Sequence, residues 1–163
     1  MILGGVERDF VIHDEDNIKG FFGEFRWLSN FEVCDIMFDG ILYHSSEAAY
    51  QSAKTLDMAE RNLFTSMSPN DARKYGRAIE KTPLFRQEWH NIKYDIMCSV
   101  VFDKFYRNLN LREKLIATNN RYIEETNYWG DKVWGICEGK GDNNLGVILM
   151  GIRRFWKLKT REK

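Results

Sequence analysis

Apolar residues change their spacing near residue 45. Before it they come in short runs: RDFVIH (8–13), GFFGEFRWLSNF (20–31), VCDIMF (33–38) and ILYHS (41–45) read as strands. The last two runs are joined by Asp39-Gly40, and an Asp-Gly pair between apolar runs is a strong hairpin signal. After residue 45 the apolar positions recur every three or four residues, the helical period. Ser45 or Ser46 caps a helix running to about Phe64. Ser68, Pro69 and Asp71 supply a cap, an N1 proline and an acidic first turn for a helix over 69–79. Thr82-Pro83 repeats that signal ahead of the longest helix, striped by Phe85, Trp89, Ile92, Ile96 and Val100. Asn110 and Glu113 form a capping box for a shorter helix. RYIEET (121–126) and VWGIC (133–137) read as strands. Asn144 caps a final helix with Leu145, Ile148, Leu149, Ile152 and Phe155 on one face. The pattern predicts a helix-rich α+β domain with a small, mostly antiparallel sheet.

Composition narrows the class. A chain of 163 residues suits one domain that buries its own core. Its 24 basic and 24 acidic residues cancel, so no global field holds a nucleic-acid backbone, and such a role needs a local patch. The tail KLKTREK (157–163) is the basic run, and it reads as a solvated terminus. Cys34, Cys98 and Cys137 fit no disulfide framework or zinc spacing, which points to free thiols in a reducing compartment. The apolar run in MILGGVERDF is too short for a signal peptide, and no segment has the length of a membrane span. The expectation is a cytoplasmic protein without membrane association. Scattered His13, His44 and His90 form no metal constellation, and no GxSxG or GxGxxG motif appears, so neither metal nor cofactor is expected.

The stretch SSEAAYQSAK (45–54) carries the candidate chemistry. At roughly 3.6 residues per turn, Glu47, Gln51 and Lys54 fall nearly in line, continued by Met58 and Arg61. Ala49, Tyr50, Ala53 and Leu56 occupy the neighbouring arc and make the core face. Periodicity alone favours a solvated polar face. Glu47 and Lys54 lie about 10 Å apart along the axis, too far to explain each other as an ion pair. Three other segments share this mixture of polar, aromatic and turn residues. LSNFE (28–32) places Ser29 and Asn30 between apolar neighbours, as a turn or a ligand contact. NYWGDKVWG (127–135) flanks Asp131 with two Trp-Gly pairs, as core plugs or a stacking surface. GKGDNNLG (139–146) opens the last helix, as a plain turn or a phosphate loop.

Together these segments resemble the YbiA-like, or NADAR, family of N-glycosidases. The resemblance is carried by LSNF, SSEAAYQSAKT, ARKYGR (72–77), Trp89, Lys104-Phe105, NYWGDKVWG and GDNNLGVILMGIR, in order from about residue 20 to 154. It implies a YbiA-like domain over 20–156, preceded by an extension at 1–19 and followed by the tail at 157–163. One departure is Ala48 and Ala49, where many relatives carry larger, more polar residues.

The resemblance implies hydrolysis of the C–N bond between a ribose and an amine or base. Two substrate classes follow: ribosylamino-pyrimidine phosphates of riboflavin synthesis, and ADP-ribosylated guanine in nucleic acid. On that reading Glu47, Lys54 and Asp131 are the catalytic candidates. Ser29, Asn30 and Gln51 hold ribose hydroxyls, Trp129 or Trp134 stacks on the base, and Trp89 edges the site. Arg77, Lys104 and the loop from Gly141 through Asn144 to Gly146 receive phosphate, with Gly135 beside them. The rival reading is a non-catalytic module that binds ADP-ribose or a nucleotide.

Overall fold

The computed structural model describes residues 10–161, together with the backbone of two short strands at its start. Arg8 and Asp9 of the first expected strand, and Glu162 and Lys163 of the expected tail, lie outside the described residues. In chain order the strands are β1 (Ile2–Leu3), β2 (Val6–Glu7), β3 (Ile12–His13) and β4 (Asn17–Lys19), followed by β5 (Ile36–Phe38) and β6 (Ile41–Tyr43). Helices α1 (Ser46–Ser52), α2 (Met58–Leu63), α3 (Pro69–Ile79), α4 (Trp89–Arg107) and α5 (Leu109–Ala117) come next. Strands β7 (Tyr122–Glu124), β8 (Thr126–Asn127) and β9 (Ile136–Cys137) precede the last helix, α6 (Asn144–Arg161).

The chain divides into two compact units, residues 30–109 and residues 1–29 with 110–163. In the second of these, β4 lies between antiparallel β3 and parallel β7, with Ile18 opposite Ile123. Both isoleucines are fully buried, as are Leu115, Leu145 and Leu149 of the same unit. Strands β8 and β9 pair in parallel, so the described residues hold three antiparallel and two parallel pairings in four small sheets. Gly23–Leu28 forms a 3-10 helix where a strand was expected. Gly23 takes left-handed backbone (φ 56°), which breaks the extended run and turns Phe25, Trp27 and Leu28 inward. Helix α6 continues through most of the expected solvated tail.

In residues 30–109, Asp39 and Gly40 both adopt left-handed backbone (φ 49° and 77°), the geometry of a two-residue hairpin turn. Strands β5 and β6 pair across it as expected. Helix α3 also matches its expected span: the Ser68 hydroxyl accepts from the Asp71 amide at 3.1 Å, and Pro69 occupies the first turn. The single helix expected to about Phe64 is instead two. Asp57 starts α2 by accepting the Glu60 amide (3.0 Å), while Thr55 bridges to Phe85 in extended conformation. That bridge also removes Phe85 from α4, which begins at Trp89. Likewise α5 begins at Leu109, ahead of the expected cap Asn110. Among the described residues no helix is long and apolar enough to cross a membrane.

Candidate active site

Helix α1 is short and buried at all seven positions. Its start is held twice: the Ser45 hydroxyl accepts the Ala48 amide (3.0 Å), and the Glu47 amide donates to the Asn30 carbonyl (3.0 Å). Helices α3 and α4 pack against it. Ala48, Ala49 and Ala53 are fully buried, and small side chains of this kind let helix backbones approach closely. The polar row is enclosed as a result. Glu47, Gln51 and Lys54 are only 8 %, 6 % and 4 % exposed, which overturns the solvated-face reading. Met58 and Arg61 leave the row because α1 ends at Ser52.

Within the row, Gln51 Nε2 donates to Glu47 Oε1 at 2.8 Å. Gln51 Oε1 and Asn30 Oδ1 are buried without a hydrogen-bond partner. Gly76 of α3 makes this arrangement possible, since a Cβ there would overlap Gln51 Oε1. Burial raises the Glu47 pKa above its ordinary value, and the Gln51 hydrogen bond with the charges of Arg73, Lys54 and Arg77 partly opposes it. Lys54 lies just past the helix. Its amide donates to the Gln51 carbonyl (3.2 Å), and its carbonyl accepts the Arg86 amide (2.8 Å). Its ammonium donates to Glu80 Oε1 and lies 5.8 Å from the centre of the Trp89 ring. Trp89 is 3 % exposed and packs on Tyr50 with ring centres 5.0 Å apart. Asn30 Nδ2 donates to Met97 Sδ at 3.3 Å. Arg73 lies over Phe31 at 6.0 Å, one helical turn from exposed Arg77.

Lys104, expected to receive phosphate, is 1 % exposed beside Phe105 and so lies inside its unit rather than at an open surface. Glu80 and Gly76 were missed by sequence reasoning. Glu80 meets its partner across 26 positions of sequence, beyond any helical periodicity.

The other unit builds a hydrogen-bonded loop around the remaining candidates. Asp131 Oδ1 accepts the amides of Val133 (3.0 Å) and Trp134 (2.9 Å), an Asx turn. Buried Asn127 holds that turn from below, accepting the Asp131 amide (3.1 Å) and donating to the Asp131 carbonyl (2.7 Å). Gly135 passes the Glu125 carbonyl too closely for a side chain. The amides of Asp142, Asn143, Asn144 and Leu145 donate to the carbonyls of Lys132, Gly135, Val133 and Trp134. Those four amides are therefore engaged by protein, which corrects their expected role as phosphate donors. Asn144 Nδ2 donates to the Val133 carbonyl (2.6 Å) and belongs to the same network. Trp129 is 43 % exposed and meets Phe22 and Tyr128 edge to face, whereas Trp134 is half-buried. Ser29 closes the 3-10 helix through its amide to the Arg26 carbonyl (3.0 Å).

Residues 10–157 match the family model of the NADAR domain. The N-glycosidase YbiA of Escherichia coli (strain K12) is 34% identical over 147 residues, covering 85% of this chain and 88% of that protein. The riboflavin biosynthesis protein VVA0006 of Vibrio vulnificus is 29% identical over 150 residues; the match covers 91% of this chain and only 38% of the Vibrio protein. The NMR structure of E. coli YbiA superposes with a TM-score of 0.80 at 28% identity, covering 96% of this chain and 94% of that one.

Proposed function

Since the chain belongs to the NADAR domain family, we propose that it is a hydrolase cleaving the C–N bond between a ribose and an amine or base. The observation that carries this reading is the enclosed row Glu47–Gln51–Lys54. Burying a carboxylate and an ammonium is costly unless each is paired, and such sites collect where chemistry needs shifted ionisation. The name N-glycosidase borne by E. coli YbiA supports the same bond class.

Breaking a ribosyl C–N bond builds positive charge at C1 and electron density on the departing nitrogen. A buried carboxyl with a raised pKa keeps its proton to higher pH than an exposed one, so it can release that proton to the departing nitrogen and then activate water as the carboxylate. Glu47 takes this role. Lys54 offers a second, alternative route: the ribosylamine ring-opens, the Lys54 amine adds to C1 and expels the substrate amine, and water hydrolyses the imine that forms. Gln51 keeps the Glu47 carboxyl in one orientation. The Asn30 Oδ1 acceptor suits a ribose hydroxyl, and Arg77, charged and exposed on α3, suits a phosphate.

The substrate therefore carries a phosphorylated ribose: a ribosylamino-pyrimidine phosphate or ADP-ribosyl-guanine. The name of the Vibrio relative supports the first. Measuring sugar release from both compounds tests the reading. Turnover of either, lost in Glu47→Gln, is expected. Tight ADP-ribose binding with no turnover of either would make the protein a binding module instead.

A further inference from the structure

We propose that Glu80 is a catalytic residue, the proton acceptor that frees the Lys54 amine for attack; this rests on the Lys54 imine route above. A lysine enters as an ammonium and cannot attack carbon until it loses a proton. In the structure the group positioned to take that proton is the Glu80 carboxylate, whose Oε1 accepts from Lys54 Nζ.

The two ends of this pair differ in environment. The Lys54 side chain is 5 % exposed, whereas the Glu80 side chain is 42 % exposed. Glu80 stands at the C-terminal cap of α3, its own amide donating to the Gly76 carbonyl at 3.3 Å. Its carboxylate therefore touches a buried amine on one side and faces water on the other, the arrangement of a group that exchanges protons between a site and bulk solvent. A plain counter-ion needs no such access. Other charged groups on or beside these elements include Glu47 on α1, Asp71, Arg73, Lys74 and Arg77 on α3, Lys81 after it, Arg86 and Glu88 just before α4, and Lys93 and Asp95 on α4. Glu88 pairs with Arg86 at 2.8 Å and Glu47 with Gln51, leaving Glu80 as the carboxylate on the amine.

The step balances without an outside reagent. Lys54 Nζ gives one proton to Glu80 and adds its electron pair to C1 of the ring-opened ribosylamine. The C1=N π pair moves to the substrate nitrogen, the two protons left on Nζ pass to that nitrogen, and it departs as the neutral amine as the original C–N bond breaks and the Lys54–C1 imine forms. Water adds to the resulting imine, the Lys54–C1 bond breaks, and Glu80 returns its proton so that Lys54 regains the ammonium form.

The test is a pH–rate profile of wild type, Glu80→Gln and Glu80→Asp, with the rate of borohydride-trapped adduct measured alongside. Glu80→Gln is expected to lower kcat by about 10²-fold near neutrality with KM retained, the usual scale for one general base. Its rate should climb toward wild type at alkaline pH, where hydroxide deprotonates Lys54 instead. Glu80→Asp, shorter by one methylene, should retain an intermediate rate, and this comparison stands even if the amide variant folds poorly. A mere counter-ion predicts the opposite. Without it a buried lysine deprotonates more easily, so Glu80→Gln would keep or raise its neutral rate and trap adduct as fast as wild type. That result overturns the role of Glu80 and leaves the Lys54 route standing. An active Lys54→Ala protein, with no adduct in wild type, would instead remove the route itself.

Discussion

Gln51 Nε2 donates to Glu47 Oε1 at 2.8 Å, one helical turn away, and both side chains are buried. The amide oxygen of Gln51 meets Gly76 and takes no hydrogen bond. One protein donor, the Gln51 amide, thus fixes the carboxyl. Burial favours its neutral form, and the nearby cations limit how far.

Stability should carry this signature. Glu47 has a folded pKa raised above its ordinary 4.5, so the folded chain holds the proton more tightly than the unfolded chain. The stability gained is complete below the unfolded pKa and is lost as pH rises through the folded value. Glu47→Gln removes that dependence. Its Tm should exceed wild type at pH 7 and converge with it near pH 4, by about 2–4 °C for each kcal/mol recovered in a chain of this size. Turnover should fall at least about 10²-fold, the scale of one general acid. Scanning calorimetry at the two pH values, with a turnover assay, checks both parts.

Gly76→Ala forces a Cβ onto the Gln51 amide. Overpacking of this kind costs about 1–3 kcal/mol. Gln51→Ala removes the atoms in conflict, so the double variant should be more stable than the sum of the singles requires, with a coupling of roughly 0.5–3 kcal/mol. Denaturant unfolding of the four proteins measures it. Strict additivity would mean that α1 and α3 do not meet at these residues.

Asp131 separates charge from turn geometry. Asparagine offers the same oxygen to the Val133 and Trp134 amides, whereas alanine offers none. Asp131→Asn should stay within about 0.5 kcal/mol of wild type, and Asp131→Ala should lose about 1–3 kcal/mol. Turnover should follow the same order. A folded Asp131→Asn protein with wild-type Tm and no turnover would assign the Asp131 charge to the chemistry.

Local signals in the sequence read well where they act locally. Asp39-Gly40 sets its own turn, Ser68-Pro69 starts α3, and Ser45 caps α1. Misreadings came where a long-range contact overrode the local period. Thr55 pairs with Phe85, and that one bridge splits the expected first helix and shortens α4. The alignment of Glu47, Gln51 and Lys54 was visible from spacing, but their burial depends on Gly76 and Trp89 from helices far along the chain. For the same reason the Lys54–Glu80 pair left no trace in either local segment. The Gly-rich loop before α6 looked open because its amides find their carbonyls in a turn about ten residues earlier.

The most direct test of the account is to treat the enzyme with borohydride during turnover of a ribosylamino-pyrimidine phosphate and map the product by peptide mass spectrometry. A reduced sugar on Lys54, absent from Lys54→Ala together with turnover, is the predicted result. Sustained turnover with Lys54 unmodified, and undiminished in Lys54→Ala, would contradict it.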